Sequence, residues 1–525
     1  MAESATQTES IALYHYLRQN VVGTEKHVRT IRLMNNVRDN LQSNTTWTFI
    51  TSGSFGDGLQ TRGSDIDLMG VLKLIEVCED AQTYFNANRI HFSMEVEDTQ
   101  PGFAKLRLVH SNDKSILKDC YDINGNFYFS NLLFKQNFAT DIFSTIHGPC
   151  MSDKAGVYDF ASCLHCKLWI TPAKQWIGRS NKSWPRYDIK QAIVKHGVLF
   201  VPVGVKGSTQ EELEWRISFS VAEKLLIYSF THTQLLCYAV MKILLKDVIA
   251  LDIDCKELLC SYFMKTLLFW MCEELPSSIW KPENLISCFM RCFRRLIYCV
   301  EYSLCPHYFI PENNLFENKI QGQAQKTLLN KLSILNSYGW QCILLSDQVP
   351  NLNELASDIR EETSYSYAKS LERLLSLQMY FVHSTCTSFD FLLEKTLCKV
   401  LSSKSSKIKY LYAEYMSKFY CKSERILPED NTSYNKSTYK EYNTYISTLL
   451  LNTHHDAVSG WLMLSLYFYK RKQYNTALYI IQYSLSKCSP EKLHQFMQYS
   501  DIHHELFNLH VFRNMHIVQL WNFYY

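Results

Sequence analysis

The chain has 525 residues, of which 47% are apolar and 14% aromatic, and its net charge is +3. That length gives room for two or three domains with substantial cores, while a charge so near zero does not by itself mark a nucleic-acid binder, so any basic surface must be local. Eighteen cysteines are scattered without paired metal spacings; Cys163-Leu164-His165-Cys166 is a half-motif with no second pair. With no secretory segment and no apolar run of membrane length, the expectation is a reduced cytoplasmic protein, with the nucleus as the alternative.

Along the chain, residues 11–41 read as helical. Thr24 is placed to cap a helix in which Val28, Ile31, Met34, Val37 and Leu41 form an apolar stripe, with Lys26, Arg29 and Arg32 on another face. Residues 53–67 follow: Gly53-Ser54, ten spacer residues, then Asp65-Ile66-Asp67. The flanking runs, Trp47-Thr48-Phe49-Ile50 and residues 66–72, read as two strands joined by this loop. Side chains at i and i+2 of a strand share a face, so Asp65 and Asp67 should point together, with Ile66 and Leu68 toward the core. Two such carboxylates suit hard divalent cations, Gly53 lets backbone approach a phosphate, and Ser54 adds donors. The plainer alternative is a polar hairpin with two solvated aspartates.

The stretch 48–202 is strand-rich, with alternating runs at Ile90-His91-Phe92-Ser93-Met94 and around Ala104-Lys105-Leu106. Two metals usually need a third carboxylate from another strand. Asp159, alone among apolar neighbours in Val157-Tyr158-Asp159-Phe160-Ala161, is the best candidate, because an acid in such a run is costly unless paired or ligating. Asp153 and Glu97 are weaker candidates, and a turn-capping role for Asp159 is the alternative. Beyond Trp215 the pattern becomes helical at 235–248, 258–272 and 285–302, with Pro276 and Pro282 bracketing a loop. A further helical region starts near Gly322, with loops expected at 402–406 and 428–439. Trp461, Leu464, Phe468, Ala477, Ile481 and Ser484, closed by Pro490, fit one tetratricopeptide helix pair over about 456–490, although Ser465 replaces the usual glycine and the proline is one place late. One repeat cannot bury its own face, so other helices must stack on it; an ordinary helical hairpin is the alternative.

Four stretches together carry a resemblance. They are the 53–67 motif; Glu214-Trp215-Arg216-Ile217-Ser218-Phe219-Ser220 followed by Ala222-Glu223-Lys224; Ser261-Tyr262-Phe263-Met264-Lys265-Thr266; and Tyr308-Phe309-Ile310-Pro311-Glu312-Asn313-Asn314-Leu315-Phe316. Over about residues 11–335 the chain resembles the Mab-type nucleotidyltransferases, the family that includes cyclic GMP-AMP synthase and the cGAS-like receptors. The resemblance implies an α+β fold: an N-terminal long helix with a DNA polymerase beta-like nucleotidyltransferase core and a mixed twisted sheet (1–210), then an all-α lobe (211–335); the helical spacing beyond it makes 336–525 a helical, repeat-like tail. It implies that Gly53 and Ser54 hold a triphosphate and that Asp65, Asp67 and Asp159 bind two Mg²⁺ or Mn²⁺ ions. Arg216, Ser218 and Ser220 would face the second nucleotide, and Glu223 and Lys242 would lie near phosphate or ribose. Tyr262 would stack on a base between Ser261 and Lys265. A guanidinium fork suits guanine, and an aromatic ring gives affinity without strict base choice.

The implied activity is synthesis of a cyclic dinucleotide from ATP and GTP after sensing double-stranded nucleic acid, in innate immune signalling, with dimerisation on activation. His232 and Cys237 stand alone where the vertebrate DNA sensor has a zinc thumb, which turns the expectation toward RNA, with Lys26, Arg29 and Arg32 as a phosphate track and Arg291, Arg294 and Arg295 as a second patch. A solvated face is the plainer account of each of these residues. Two other readings stay open: a catalytically silent Mab-type scaffold or nucleotide-binding protein acting through its tail on a protein partner, and a linear oligoadenylate-type polymerase.

Overall fold

Thr24 does cap a long helix: its side chain accepts the His27 N–H at 3.2 Å. Helix α1 (Ala2–Tyr16) passes through a π-helical turn (Leu17–Val21) before this cap and α2 (Glu25–Gln42) follows it. Val28, Ile31, Val37 and Leu41 of the stripe are buried, and Met34 is half-buried. The structure is a computed structural model that describes residues 2–59, 65–79, 86, 88–140, 143–154, 156–179, 184–349, 389–421, 446, 449–450, 453 and 459–487. It divides into two units, Met1–Leu371 and Glu372–Tyr525.

The first unit contains one 11-stranded mixed sheet. Its strands are β1 (Trp47–Ser52), β2 (Ile66–Cys78), β3 (Ile90–Glu95), β4 (Phe103–His110), β5 (Cys120–Ile123), β6 (Asn126–Phe129), β7 (Phe143–His147), β8 (Cys150–Asp153), β9 (Tyr158–Cys166), β10 (Val198–Val201) and β11 (Glu214–Ser218). The order is β1-β2-β3-β4-β11-β10-β9-β8-β7, and β2 also pairs with β9, so the path returns on itself. The expected boundary near residue 210 falls between β10 and β11, neighbouring strands of this sheet. Alternation decides which faces are buried: Ala104 and Leu106 on β4 are inside, whereas Lys105 and Arg107 are not. Phe92, Phe129 and Trp215 form a buried stack with centroids 4.6 and 5.2 Å apart.

In chain order the helices after α2 are α3 (Gly53–Gly56), α4 (Asn131–Gln136), α5 (Lys174–Gly178), α6 (Tyr187–His196), α7 (Ser220–Tyr228), α8 (His232–Ile243), α9 (Ser261–Glu274), α10 (Leu285–Glu301) and α11 (Gly322–Ser337). A capping box of Thr231 and Gln234 starts α8, and every residue of α8 is buried, Lys242 included. The helical pattern expected at 235–248, 258–272 and 285–302 is thus present in α8, α9 and α10.

In the second unit, Phe389–Ser402 and Ser406–Cys421 are helices, as are Ser459–Lys470 and Tyr474–Lys487. The last two meet as a hairpin: Trp461 lies edge-on to Tyr483 at 4.8 Å, and Ser465 Oγ donates to the Ala477 carbonyl at 3.1 Å. Pro490 and the loop expected at 428–439 lie outside the described residues, and a tetratricopeptide pair remains an expectation from the sequence.

Candidate active site

The turn after β1 needs a glycine. Gly53 has φ +61°, and a Cβ there would sit 1.6 Å from Asp67 Oδ2. Backbone therefore passes directly against the carboxylate. Strand pairing brings the acids together: on β2, Asp67 lies opposite Ser52 of β1 on one side and Asp159 of β9 on the other. Asp65, Asp67 and Asp159 offer carboxylate oxygens all within 4.8 Å of one another, Asp65 exposed and the other two half-buried. Ser152 Oγ donates to Asp159 Oδ1 at 2.5 Å, which fixes that carboxylate. Asp153 is used otherwise, accepting the Val157 and Tyr158 N–H groups at 2.8 Å, and Glu97 is exposed.

Burial, and then the charges of Asp65 and Asp159, push the Asp67 carboxyl up to about 7. Three oxygen donors that repel one another in this way fit a hard divalent cation, which would relieve the repulsion. Beside them Lys242 Nζ donates to Ser54 Oγ. Burial, aided by Lys246, lowers Lys242 to about 8.

Helix α2 holds this turn from behind. Asp39 accepts the Thr51 N–H at 2.8 Å and the Thr51 hydroxyl, to which Arg38 also donates. Lys224 of α7 lies 3.5 Å from Asp39 and donates to the Thr51 carbonyl at 3.0 Å. Asn35 donates to the Phe55 carbonyl at 3.0 Å, and Tyr228 to that of Gly56 at 3.1 Å. Arg32 corrects the sequence reading. It is buried, donates to the carbonyls of Asp57 at 2.9 Å and Ile227 at 3.3 Å, and stacks on Tyr228. It is therefore no part of an exposed basic track, because its position on α2 turns toward the loop. Lys26 and Arg29 are exposed, Arg29 paired with Glu25. Replacing Asp39 by Ala leaves Arg38 and Lys224 buried without their acid, so a loss of about 3–5 kcal/mol is expected, readable as a lowered denaturation midpoint with unchanged slope.

Of the residues assigned to nucleotide by resemblance, Lys265, Glu223 and Tyr262 are in mutual contact and meet the turn at Asp57. Lys265 Nζ is 3.0 Å from Asp57 Oδ2 and 3.7 Å from Glu223 Oε2. Burial acts against its charge, but Asp57, Tyr238 and Glu223 outweigh it and hold the ammonium above the usual lysine range. Tyr262 donates to Glu223 Oε1 at 3.1 Å and meets His307 Nε2 at 2.8 Å. Arg216 is exposed on β11, Ser218 is half-buried, and the Ser220 hydroxyl is buried without a hydrogen-bond partner. Ser261 is half-buried at the start of α9. Sequence reasoning missed Asp39, Asp57, Ser152 and His307. Only Asp57 carried a signal, as an acid inside the glycine-rich motif.

Of the second patch, Arg291 and Arg294 are exposed and Arg295 pairs with Glu274 at 2.9 Å. His232 sits between the Tyr14 hydroxyl and the Gly23 carbonyl, each at 3.0 Å, and Cys237 faces Cys292, Sγ to Sγ 3.8 Å. Among the described residues no helix is long and apolar enough to cross a membrane.

A mixed sheet with a Gly-Ser turn, three acids converging at two adjoining strands and a helical lobe is the architecture of a nucleotidyltransferase domain. Comparison with known families bears this out. Residues 152–229 match the Mab-21 protein nucleotidyltransferase domain, and residues 234–333 match the Mab-21 protein HhH/H2TH-like domain. Over residues 152–333 these two matches place the chain in the Mab-21, cGAS-like family. Cyclic GMP-AMP synthase of Mus musculus is 28% identical over 179 residues, 31% of this chain and 34% of that protein; the Sus scrofa enzyme is 28% identical over 176 residues, 30% and 34%. The matched stretch spans about a third of the length of these relatives. Asp159 lies within the matched nucleotidyltransferase residues, whereas Gly53, Asp65 and Asp67 precede them: Asp67 stands on the strand register, Gly53 and Asp65 on their closeness to it.

Proposed function

We propose that this protein joins ATP and GTP, or another pair of nucleoside triphosphates, into a cyclic dinucleotide messenger, and that double-stranded nucleic acid, RNA before DNA, switches it on in innate immune signalling in the cytoplasm. The observation that carries the reading is the convergence of Asp65, Asp67 and Asp159 beside the Gly53–Ser54 turn. Phosphoryl transfer of this kind needs little covalent help from protein; it needs in-line placement and cations to take up charge. Bound at the three carboxylates, two Mg²⁺ or Mn²⁺ ions would lower the pKa of the attacking ribose hydroxyl and neutralise the departing pyrophosphate.

The chain's own residues do the rest. Gly53 and Ser54 bring donors against a triphosphate, and Lys242, already bonded to Ser54, adds a point charge. Lys265 and Glu223 lie beside Asp57 of the same turn, with Tyr262 offering a ring to a base and Arg216 an exposed guanidinium to a second nucleotide. Support for RNA over DNA comes from His232 and Cys237, which are engaged with protein partners and unsuited to a zinc-held insertion. Lys26 and Arg29 remain as exposed cations on α2.

The test is incubation of the full chain with labelled ATP and GTP, Mg²⁺ or Mn²⁺, and duplex RNA or duplex DNA. Cyclic product is expected with RNA and is lost in Asp65→Asn combined with Asp67→Asn. Linear chains from ATP alone would instead mark a polymerase. No product with either activator would favour the scaffold reading.

A further inference from the structure

Next to Glu223 and Tyr262 lies a buried histidine with no role in the reading above. We propose that His307 is a positioning residue: it fixes the Tyr262 hydroxyl as a donor to Glu223 and so sets the tyrosine ring on which a nucleobase stacks. This rests on the reading of Glu223, Tyr262 and Lys265 as part of a nucleotide site.

The argument is one of hydrogen bookkeeping. His307 is buried, in the loop after α10. Its Nδ1 receives two backbone N–H groups, from Phe309 at 3.2 Å and Ile310 at 3.1 Å. A nitrogen that accepts carries no hydrogen, so in the neutral ring the hydrogen sits on Nε2. Nε2 lies 2.8 Å from the Tyr262 oxygen, which must therefore accept there. The hydroxyl's own hydrogen is left for Glu223 Oε1 at 3.1 Å. Glu223 Oε1 accepts it; burial pushes the Glu223 carboxyl up, and Lys265 at 3.7 Å acts against that shift. Burial first, then Arg216 and Arg179, keep the imidazole from charging, down to about 3. The direction of every bond in the chain from the 309–310 backbone to Glu223 is thereby set.

Rings fix the remaining freedom. Phe219 stacks on Phe309 at 4.5 Å and lies 5.4 Å from His307. Phe219 stands between Ser218 and Ser220, so the same stack also locates the strand end assigned to the second nucleotide. Thr266, one turn beyond Tyr262 on α9, also reaches the tyrosine hydroxyl. It shares the oxygen without reversing the bond to Glu223.

Two substitutions separate the two ring nitrogens. His307→Asn keeps an acceptor where Nδ1 sits and has nothing at the Nε2 position. His307→Gln reaches the Nε2 position and leaves the backbone donors unmet. Calorimetric titration of the full chain with Mg²⁺ and α,β-methylene ATP or GTP, and separately with Mg²⁺ and tripolyphosphate, which has no base, reads the difference. H307N is expected to melt like wild type, to bind the nucleotides about tenfold more weakly, and to bind tripolyphosphate unchanged. Tyr262→Phe should show the same pattern, and the double variant should be no weaker than Y262F alone, because both act through one hydroxyl. H307Q should melt lower yet bind nucleotide more tightly than H307N.

Nucleotide affinity of H307N equal to wild type would overturn the proposal. So would a matching loss for tripolyphosphate, an additive double variant, or H307Q binding more weakly than H307N. Wild type that binds none of the probes would remove the nucleotide reading itself, and this inference with it.

Discussion

Asp67→Asn is expected to lower product formation about a thousandfold or more, because it removes one of the three carboxylate charges that would hold the cations. The same change should raise the stability of the metal-free protein at neutral and alkaline pH. Asp67 titrates near 7 in the fold against an ordinary 3.8. Between those values the folded chain holds a proton that the unfolded chain does not. Folding is therefore favoured by acid: the contribution is complete below about 4, is lost progressively as pH rises toward 7, and is absent above it. Three pK units correspond to about 4 kcal/mol. Melting in EDTA across pH 5 to 8 should show wild type falling in this window relative to D67N, with D67N the more stable above pH 7. Mn²⁺ should reverse the order at pH 8, raising the wild-type midpoint and leaving D67N unmoved. A wild type unresponsive to Mn²⁺ would argue against a metal at these acids.

Gly53→Ala is expected to disable the site while the protein stays folded. The left-handed backbone costs an alanine about 1 kcal/mol. The larger effect is steric: the new Cβ would overlap Asp67 Oδ2 at 1.6 Å, so the carboxylate must swing away from its partners. A displacement of about 1 Å at a reacting centre can cost a hundredfold in rate. Product formation should fall by about that factor, with the Mn²⁺-dependent rise in melting temperature lost in parallel. Gly125→Ala is the control. Gly125 shares a positive φ, +81°, but a Cβ there meets nothing within 4 Å. It should cost stability of similar small size and leave activity intact. Equal activity in G53A and G125A would mean that Asp67 tolerates displacement, against the geometry.

Much of the site was legible because strand chemistry is local. The period of two put Asp65 and Asp67 together, and one acid in an apolar run pointed to Asp159 on another strand; the register then placed Asp67 opposite Asp159. The Thr24 cap and helices α8 to α10 followed from spacing. Arg32 was misread for a physical reason. Periodicity assigns a charged residue to the wet face, but three α2 positions beside it, Asn35, Arg38 and Asp39, are also buried. What makes their burial tolerable is a set of loop carbonyls and a threonine brought by β1, which no helical pattern contains. His307 and Asp57 escaped notice for the same cause, since their partners lie on distant segments of the chain.

Strand β2 is shared: its start is gripped by β1 and β9 together, and its end by β3. This has a consequence for how the gene can change. Codons added or removed between residues 59 and 65 alter a connection and leave the pairing of Asp67 with Ser52 and Asp159 in register. A single codon inserted between Asp67 and Leu68 would carry the acid to the opposite side of the pleat. Length variation among descendants of this sequence should therefore collect in the first interval and be purged from the second.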